Sequence, residues 1–266
     1  MNIIVNSLER AKERRERIIT QLKQLNIDAM INDAVDGQEL SEEQKNKFLH
    51  LPGGYREGEK FKPGEIGCTM SHINAIKMAR MREWEYVIVL EDDVILAEDF
   101  EKRIKFLFKI LPNDWEHVYL SGIPRTPGYA IPFPAMLQLA NVIPSPIIDC
   151  IPATIIRNSA YDKVIDYLEK FETTTDDSII ALIHRFKTIT SYTYFPFVAY
   201  VEDNFTYIWD QNITRQHKSK QYFKNTSQQH TAAQGGAASW VCVRHFDRTQ
   251  CRGHSHEGVL KHAGKG

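Results

Sequence analysis

Three consecutive carboxylates, Glu91, Asp92 and Asp93, follow the apolar run Val87-Ile88-Val89-Leu90. The run reads as a short buried strand. The acids then stand at its carboxyl end, where ligands collect in open α/β sheets. Carboxylates at the mouth of a sheet are costly unless a cation meets them. A divalent metal carrying a diphosphate would use such oxygens well. The plain alternative is a solvated acidic turn after a core strand. Strand alternation predicts Glu91 and Asp93 on one face and Asp92 on the other, with Asp93 placed to leave the sheet plane.

Three further segments carry residue types suited to chemistry. Gly64-Glu65-Ile66-Gly67-Cys68-Thr69-Met70-Ser71-His72 offers two glycines that let backbone approach a ligand. Ser71 or Thr69 can cap a following helix whose N-terminus attracts an anion. The alternative there is a glycine turn, a cap and a packed His72. Arg10, Lys12, Arg14, Arg15 and Arg17 follow the first strand. Arginine suits phosphate, and Arg10 or Arg14 lies near enough to the strand end to reach a nucleotide. Lys12 and Arg15 read as a solvated helix face. In Thr173-Thr174-Thr175-Asp176-Asp177, the acids are either ordinary first-turn residues of a helix or a general base for a sugar hydroxyl.

The elements that must hold these residues alternate. Strands are predicted at Ile3 to Val5, Ala29 to Asp33, Val87 to Leu90, Val118 to Leu120, Ile151 to Ile156 and Tyr192 to Val201. Helices are predicted at Arg10 to Leu25, Ser71 to Trp84, Phe100 to Leu111 and Tyr161 to Phe171. A loose helix falls at Glu39 to Leu49, and a shorter one opens at Asp176 with Ile179, Ile180, Ile183 and Phe186 facing inward. Leu51 to Gly67 reads as loop, as does Pro124 to Pro146 with its six prolines. Such alternation argues for an α/β layer with a mostly parallel sheet flanked by helices.

The 266 residues carry a net charge of -1, so no global attraction to nucleic acid is expected. Cys68, Cys150, Cys242 and Cys251 form no disulfide framework or CxxC pattern, which fits a reducing compartment. No apolar run is long enough to span a bilayer, and the N-terminus lacks the pattern of a signal peptide. After about Arg215 the periodicity fades, so residues 1–215 read as a catalytic domain and 216–266 as a weakly ordered tail. Cys242, Cys251, His254 and His256 in that tail match no common zinc spacing.

Taken together the segments resemble glycosyltransferase family 25, the bacterial lipopolysaccharide and lipooligosaccharide glycosyltransferases. Four blocks carry the resemblance: Val5-Asn6-Ser7-Leu8-Glu9-Arg10-Ala11 with Arg14-Arg15, Ala34-Val35-Asp36-Gly37, Gly64-Glu65-Ile66-Gly67-Cys68 with Ser71-His72, and Val89-Leu90-Glu91-Asp92-Asp93. It covers roughly residues 1–210. The resemblance implies a GT-A-like nucleotide-sugar transferase fold and a UDP-sugar donor, most often UDP-galactose, with a Mn or Mg cation. It implies an inverting β-galactosyltransferase acting on a lipid-linked oligosaccharide core acceptor. The enzyme would be cytoplasmic, at the inner face of the membrane, with peripheral membrane contact.

Carried onto this chain, the resemblance places Asn6, Leu8, Ala34 and Asp36 in the uridine pocket, with Arg10 close to the nucleotide. His72 and the Gly67-Cys68 turn shape the donor site. Asp93 and Glu91 hold the metal, with Asp92 beside them on the donor. Asp177, or else Asp176, is the base. The chain departs from the family pattern in its Asn6-Ser7 pair and in having two acids at 176 and 177 with no preceding proline. A catalytically inactive sugar-binding or scaffold relative is the alternative.

Overall fold

The computed structural model describes residues 1–49, 61–124, 141–201, 205–206 and 211–212. Strands β1 (Ile3–Ser7), β2 (Met30–Asp33), β3 (Tyr86–Glu91), β4 (Val94–Leu96), β5 (His117–Tyr119), β6 (Ile123–Pro124), β7 (Val142–Pro144), β8 (Ile148–Asp149), β9 (Ala153–Arg157), β10 (Ser191–Tyr194) and β11 (Ala199–Val201) build it. Seven of them form the central sheet in the order β2-β1-β3-β9-β5-β10-β7. Helices α1 (Lys12–Gln24), α2 (Glu42–Leu49), α3 (Pro63–Met81) and α4 (Phe100–Ile110) come first, followed by helices at Asn158–Leu168 and Thr175–Ile180.

The α/β class and the flanking helices match the sequence expectation. Strand direction is mostly common, but β9 runs antiparallel between β3 and β5, and β7 runs antiparallel to β10. The sheet is therefore mixed. Its two faces are covered by different helices, which explains why β3 is apolar without interruption. Ile4, Val87, Val89, Tyr119 and Ile156 face α3 and the Asn158–Leu168 helix. Ile3, Val5, Ile88, Leu90, Val118 and Ile155 face Ile18 and Leu22 of α1 and Phe100, Ile104 and Leu107 of α4.

Several boundaries differ from those predicted. Helix α3 starts at Pro63, well before Ser71, so the first glycine block is helix and not loop. Pro63 sits in the first turn, and Glu65 Oε2 accepts the Lys62 N–H at 3.0 Å, closing the helix end. Within the predicted proline loop, Val142–Pro144 is an edge strand, a position where proline's missing N–H disturbs no inner ladder. Residues 125–140 of that loop, and nearly all of the segment after Val201 including the 216–266 tail, lie outside the described residues. The late aromatic strand is two strands, because β11 leaves the main sheet and pairs with β4. Phe186 is 43% exposed rather than inward, lying just past the π-helical turn at Ala181–Arg185.

Two glycines in the sequence blocks are packing requirements. A Cβ on Gly37 would lie 1.7 Å from the Pro63 carbonyl oxygen, and one on Gly67 would lie 2.4 Å from the Val35 oxygen. The Val35–Gly37 segment is thus pressed onto the start of α3. Gly37→Ala is expected to cost about 2 kcal/mol or more, read by denaturant unfolding.

His117 is fully buried, with Nδ1 2.8 Å from Ser191 Oγ and Nε2 2.6 Å from Thr154 Oγ1. Burial pushes its pKa down to about 3. The unfolded chain takes this proton near pH 6.5, so stability drops as pH falls below that value. Between pH 7 and pH 5 the loss from this residue is about 2 kcal/mol. His117→Gln is expected to flatten that part of the stability–pH curve.

Candidate active site

Alternation along β1 and β3 sorts the polar residues at their carboxyl ends. Asn6 is in register with Glu91, on the face that carries Ile4, Val87 and Val89 toward α3. Ser7 follows Ile3 and Val5 on the α1 face. The buried Asn6 is fixed by Asn32, whose Nδ2 donates to Asn6 Oδ1 at 2.7 Å and to the Ser71 carbonyl at 3.1 Å. Ser71 donates to the Gly67 carbonyl at 2.6 Å and accepts from the Val35 N–H at 2.9 Å. The Ser71-His72 pair is therefore in the third turn of α3, and Ser71 ties the 34–37 segment to the helix instead of capping it.

The three acids divide between the faces. Glu91 turns toward α3, with Oε1 3.4 Å from Nε2 of the buried His72. Asp92 and Asp93 form the turn between β3 and β4, and both meet Arg14 of α1. Arg14 Nη2 lies 2.5 Å from Asp92 Oδ1 and 2.9 Å from Asp93 Oδ2. Asp92 Oδ2 also accepts from Ser7 Oγ at 2.7 Å. The expected pairing of Glu91 with Asp93 on one face does not occur, because the chain stops being a strand at Glu91.

Burial pushes Asp92 upward, partly offset by Arg14 and Ser7. Asp93 rises to about 7, driven first by burial and then by the charges of Glu91 and Asp92, against the pull of Arg14 and Arg17. Asp93 Oδ1 is buried with no hydrogen-bond partner among the described residues. Asn6 Nδ2 is in the same position. One buried acceptor and one buried donor beside the cleft are thus unmatched among the described residues.

These residues line one open cleft. Of the sequence-predicted residues, it brings together Asn6, Leu8, Ala34, Asp36, His72, Asp92, Glu91 and Asp93. It also holds Arg14 and Cys68, which the sequence offered for the nucleotide and the donor site, and adds Val35, Gly37, Gly64 and Ser71. Gly67 packs on the Val35 and Gly37 backbone and is not on the cleft wall. Arg10 is also off the wall, ion-paired with Asp36. Burial raises Asp36, but the bonds from Arg10 and the Gln38 N–H outweigh it and hold the carboxyl below its usual range.

Asp176 and Asp177 are not on the wall either. Asp176 Oδ2 accepts from the Cys150 N–H at 3.1 Å, and Asp177 Oδ2 accepts from Thr174 Oγ1 at 3.3 Å. The charge of Asp176 is nevertheless felt at Cys68 on the wall. Arg15, read from sequence as solvated, bonds the Ser7 carbonyl at 2.6 Å and Asp33 at 2.8 Å, joining the ends of β1 and β2. Its place one turn into a helix that follows a strand was the available signal.

The sequence model of glycosyltransferase family 25 (LPS biosynthesis protein) matches residues 1–144, which hold nearly all of this cleft. The chain belongs to glycosyltransferase family 25. Within the family's wider relatives it is 36% identical over 128 residues to procollagen galactosyltransferase 2 of Homo sapiens, covering 44% of this chain and 20% of that protein. It is 33% identical over 125 residues to inactive glycosyltransferase 25 family member 3 of Mus musculus, covering 44% of this chain and 21% of that protein. The chain thus spans about a fifth of the length of the curated relatives it matches. Among solved structures, a glycosyltransferase involved in the glycosylation of the major capsid of PBCV-1 aligns with TM-score 0.40 and 10% identity, covering 73% of this chain and 82% of that one. That likeness is too loose to carry a functional inference.

Arg14 is bonded to both turn acids. Arg14→Ala is expected to destabilise the protein by about 3 kcal/mol at pH 8, where both acids are ionised. At pH 5.5 the cost is expected to be smaller, because Asp93 then holds a proton. In the intact protein this carboxyl withdraws stability as pH climbs from about 4 to about 7, since the folded state keeps the proton longer than the unfolded chain. Urea titrations of both proteins at the two pH values check the sign.

Proposed function

We propose that this family 25 member is a metal-dependent, inverting galactosyltransferase that moves galactose from UDP-galactose onto a lipopolysaccharide or lipooligosaccharide core glycan. The observation that carries the reading is the cleft itself. Four blocks separated in sequence converge there, and the buried Asp93 Oδ1 and Asn6 Nδ2 are left for a ligand. The galactosyl specificity draws on the procollagen galactosyltransferase relatives, and the acceptor class on the family's description.

Asn6, Leu8, Ala34 and Asp36 line the end of the cleft suited to the nucleoside. The residues fit a hard divalent cation, because Asp93 offers a buried oxygen with no other partner and Glu91 stands close by. Asp93 and Glu91 would hold Mn or Mg. When bound, the cation supplies positive charge to the departing diphosphate. Arg14 remains at Asp92, favours its ionised form against the pull of burial, and fixes it in place. Asp176 and Asp177 open the Thr175–Ile180 helix, and one of them takes the proton of the attacking sugar hydroxyl. No described helix is long and apolar enough to cross a membrane. The proposal places the enzyme at the cytoplasmic face of the membrane, in peripheral contact with its lipid-linked acceptor.

The second reading is a non-catalytic relative, favoured by the 33% identity to an inactive family member. The two are separated by incubating the protein with UDP-galactose, Mn and a lipooligosaccharide core acceptor and measuring UDP release. The transferase reading expects acceptor-dependent release that falls at least about 100-fold in Asp93→Asn, with melting temperature held within a few degrees. Absence of turnover together with retained UDP binding would favour the inactive relative.

A further inference from the structure

One wall of the cleft carries a different set of donor atoms from the turn acids. Cys68 and His72 are four residues apart on α3, so their side chains stack on one helix face. Glu91 reaches the same point from the end of β3. Cys68 Sγ, a His72 ring nitrogen and a Glu91 carboxylate oxygen all lie within 4.8 Å of one another. His72 is almost wholly buried, Cys68 and Glu91 partly so. One sulfur, one imidazole nitrogen and one carboxylate oxygen are the donor set of a borderline-soft cation, and three protein ligands leave a fourth position open. Magnesium and manganese prefer oxygen and gain little from the thiol.

We propose that Cys68, His72 and Glu91 form a site for a thiophilic divalent cation, of which Zn²⁺ is the probe. Binding displaces the thiol proton, forms a metal–sulfur bond and releases the proton to solvent. Burial holds the Cys68 thiol in its neutral form, while the charges of Glu91 and Asp176 around it make a locally negative wall that a dication relieves. Because all three ligands line the cleft, an ion there takes Glu91 away from Asp93 and obstructs the donor. That obstruction rests on the transferase reading; the binding does not.

The test is a Co²⁺ titration of the full chain, followed by displacement with Zn²⁺. The expected result is a thiolate-to-cobalt charge-transfer band that Zn²⁺ removes and excess Mg²⁺ does not. Cys68→Ser is expected to abolish the band, and His72→Asn to weaken cobalt affinity about 10- to 100-fold with the thiol still present. The Cys242→Ser/Cys251→Ser double variant is expected to keep the band. Should Cys68→Ser fail to fold, the His72→Asn titration still decides. A band that survives in Cys68→Ser, that vanishes in the double variant, or that is unmoved by His72→Asn overturns the site. Failure of UDP-galactose turnover would leave these spectra unaffected, so the two proposals fail separately.

Discussion

The placement of the whole cleft hangs on the Arg14 guanidinium between Asp92 and Asp93. Two carboxylates in a turn at the sheet's mouth would repel each other and pay the full desolvation cost if left alone. Arg14 bonds both, and Ser7 secures the far oxygen of Asp92. The first helix, the end of β1 and the β3–β4 turn thereby become one unit. A buried ion pair of this kind adds little net stability compared with apolar packing. Its contribution here is position: it fixes the Asp93 carboxyl, whose Oδ1 is buried without a partner among the described residues.

The sheet's two-sided burial creates a second division. On the α1 side the donor atoms are carboxylate oxygens already engaged with arginine. On the α3 side they are sulfur, imidazole and one carboxylate. Strand alternation puts Glu91 on that second side, away from the acids it adjoins in sequence. The acidic run therefore behaves as two groups of unlike chemistry sharing a cleft, and only Glu91 stands between them.

The strong periodic elements were legible from sequence because one helix face or both strand faces must be apolar. The succession of strands and helices along the chain follows from that pattern, whereas the grouping of Asn6, Ala34, Asp36, His72 and the acids was implied by the family resemblance. Three things were hidden. Gly64 and Gly67 looked like loop residues, but they sit in a helix because the Val35–Gly37 backbone presses on it, a contact invisible to local propensity. Arg15 looked solvated because helical spacing does not reveal that Ser7 and Asp33 end two neighbouring strands beside it. The reversal of β9 between two co-directional strands has no local signature at all, since pairing partners are chosen by tertiary packing.

The small ribbon of β4 and β11 has a consequence for how the molecule is made. The acid turn is continuous with β4, and β4 is held by Gln21 and by Ala199–Val201. Residues 94–96 are made well before 199–201, so β4 waits for its partner strand with only the earlier Arg14 and Gln21 to hold it and its turn. A nascent chain halted before β11 would own every acidic residue lining the cleft and the Arg14 clamp, and still lack the strand that braces β4.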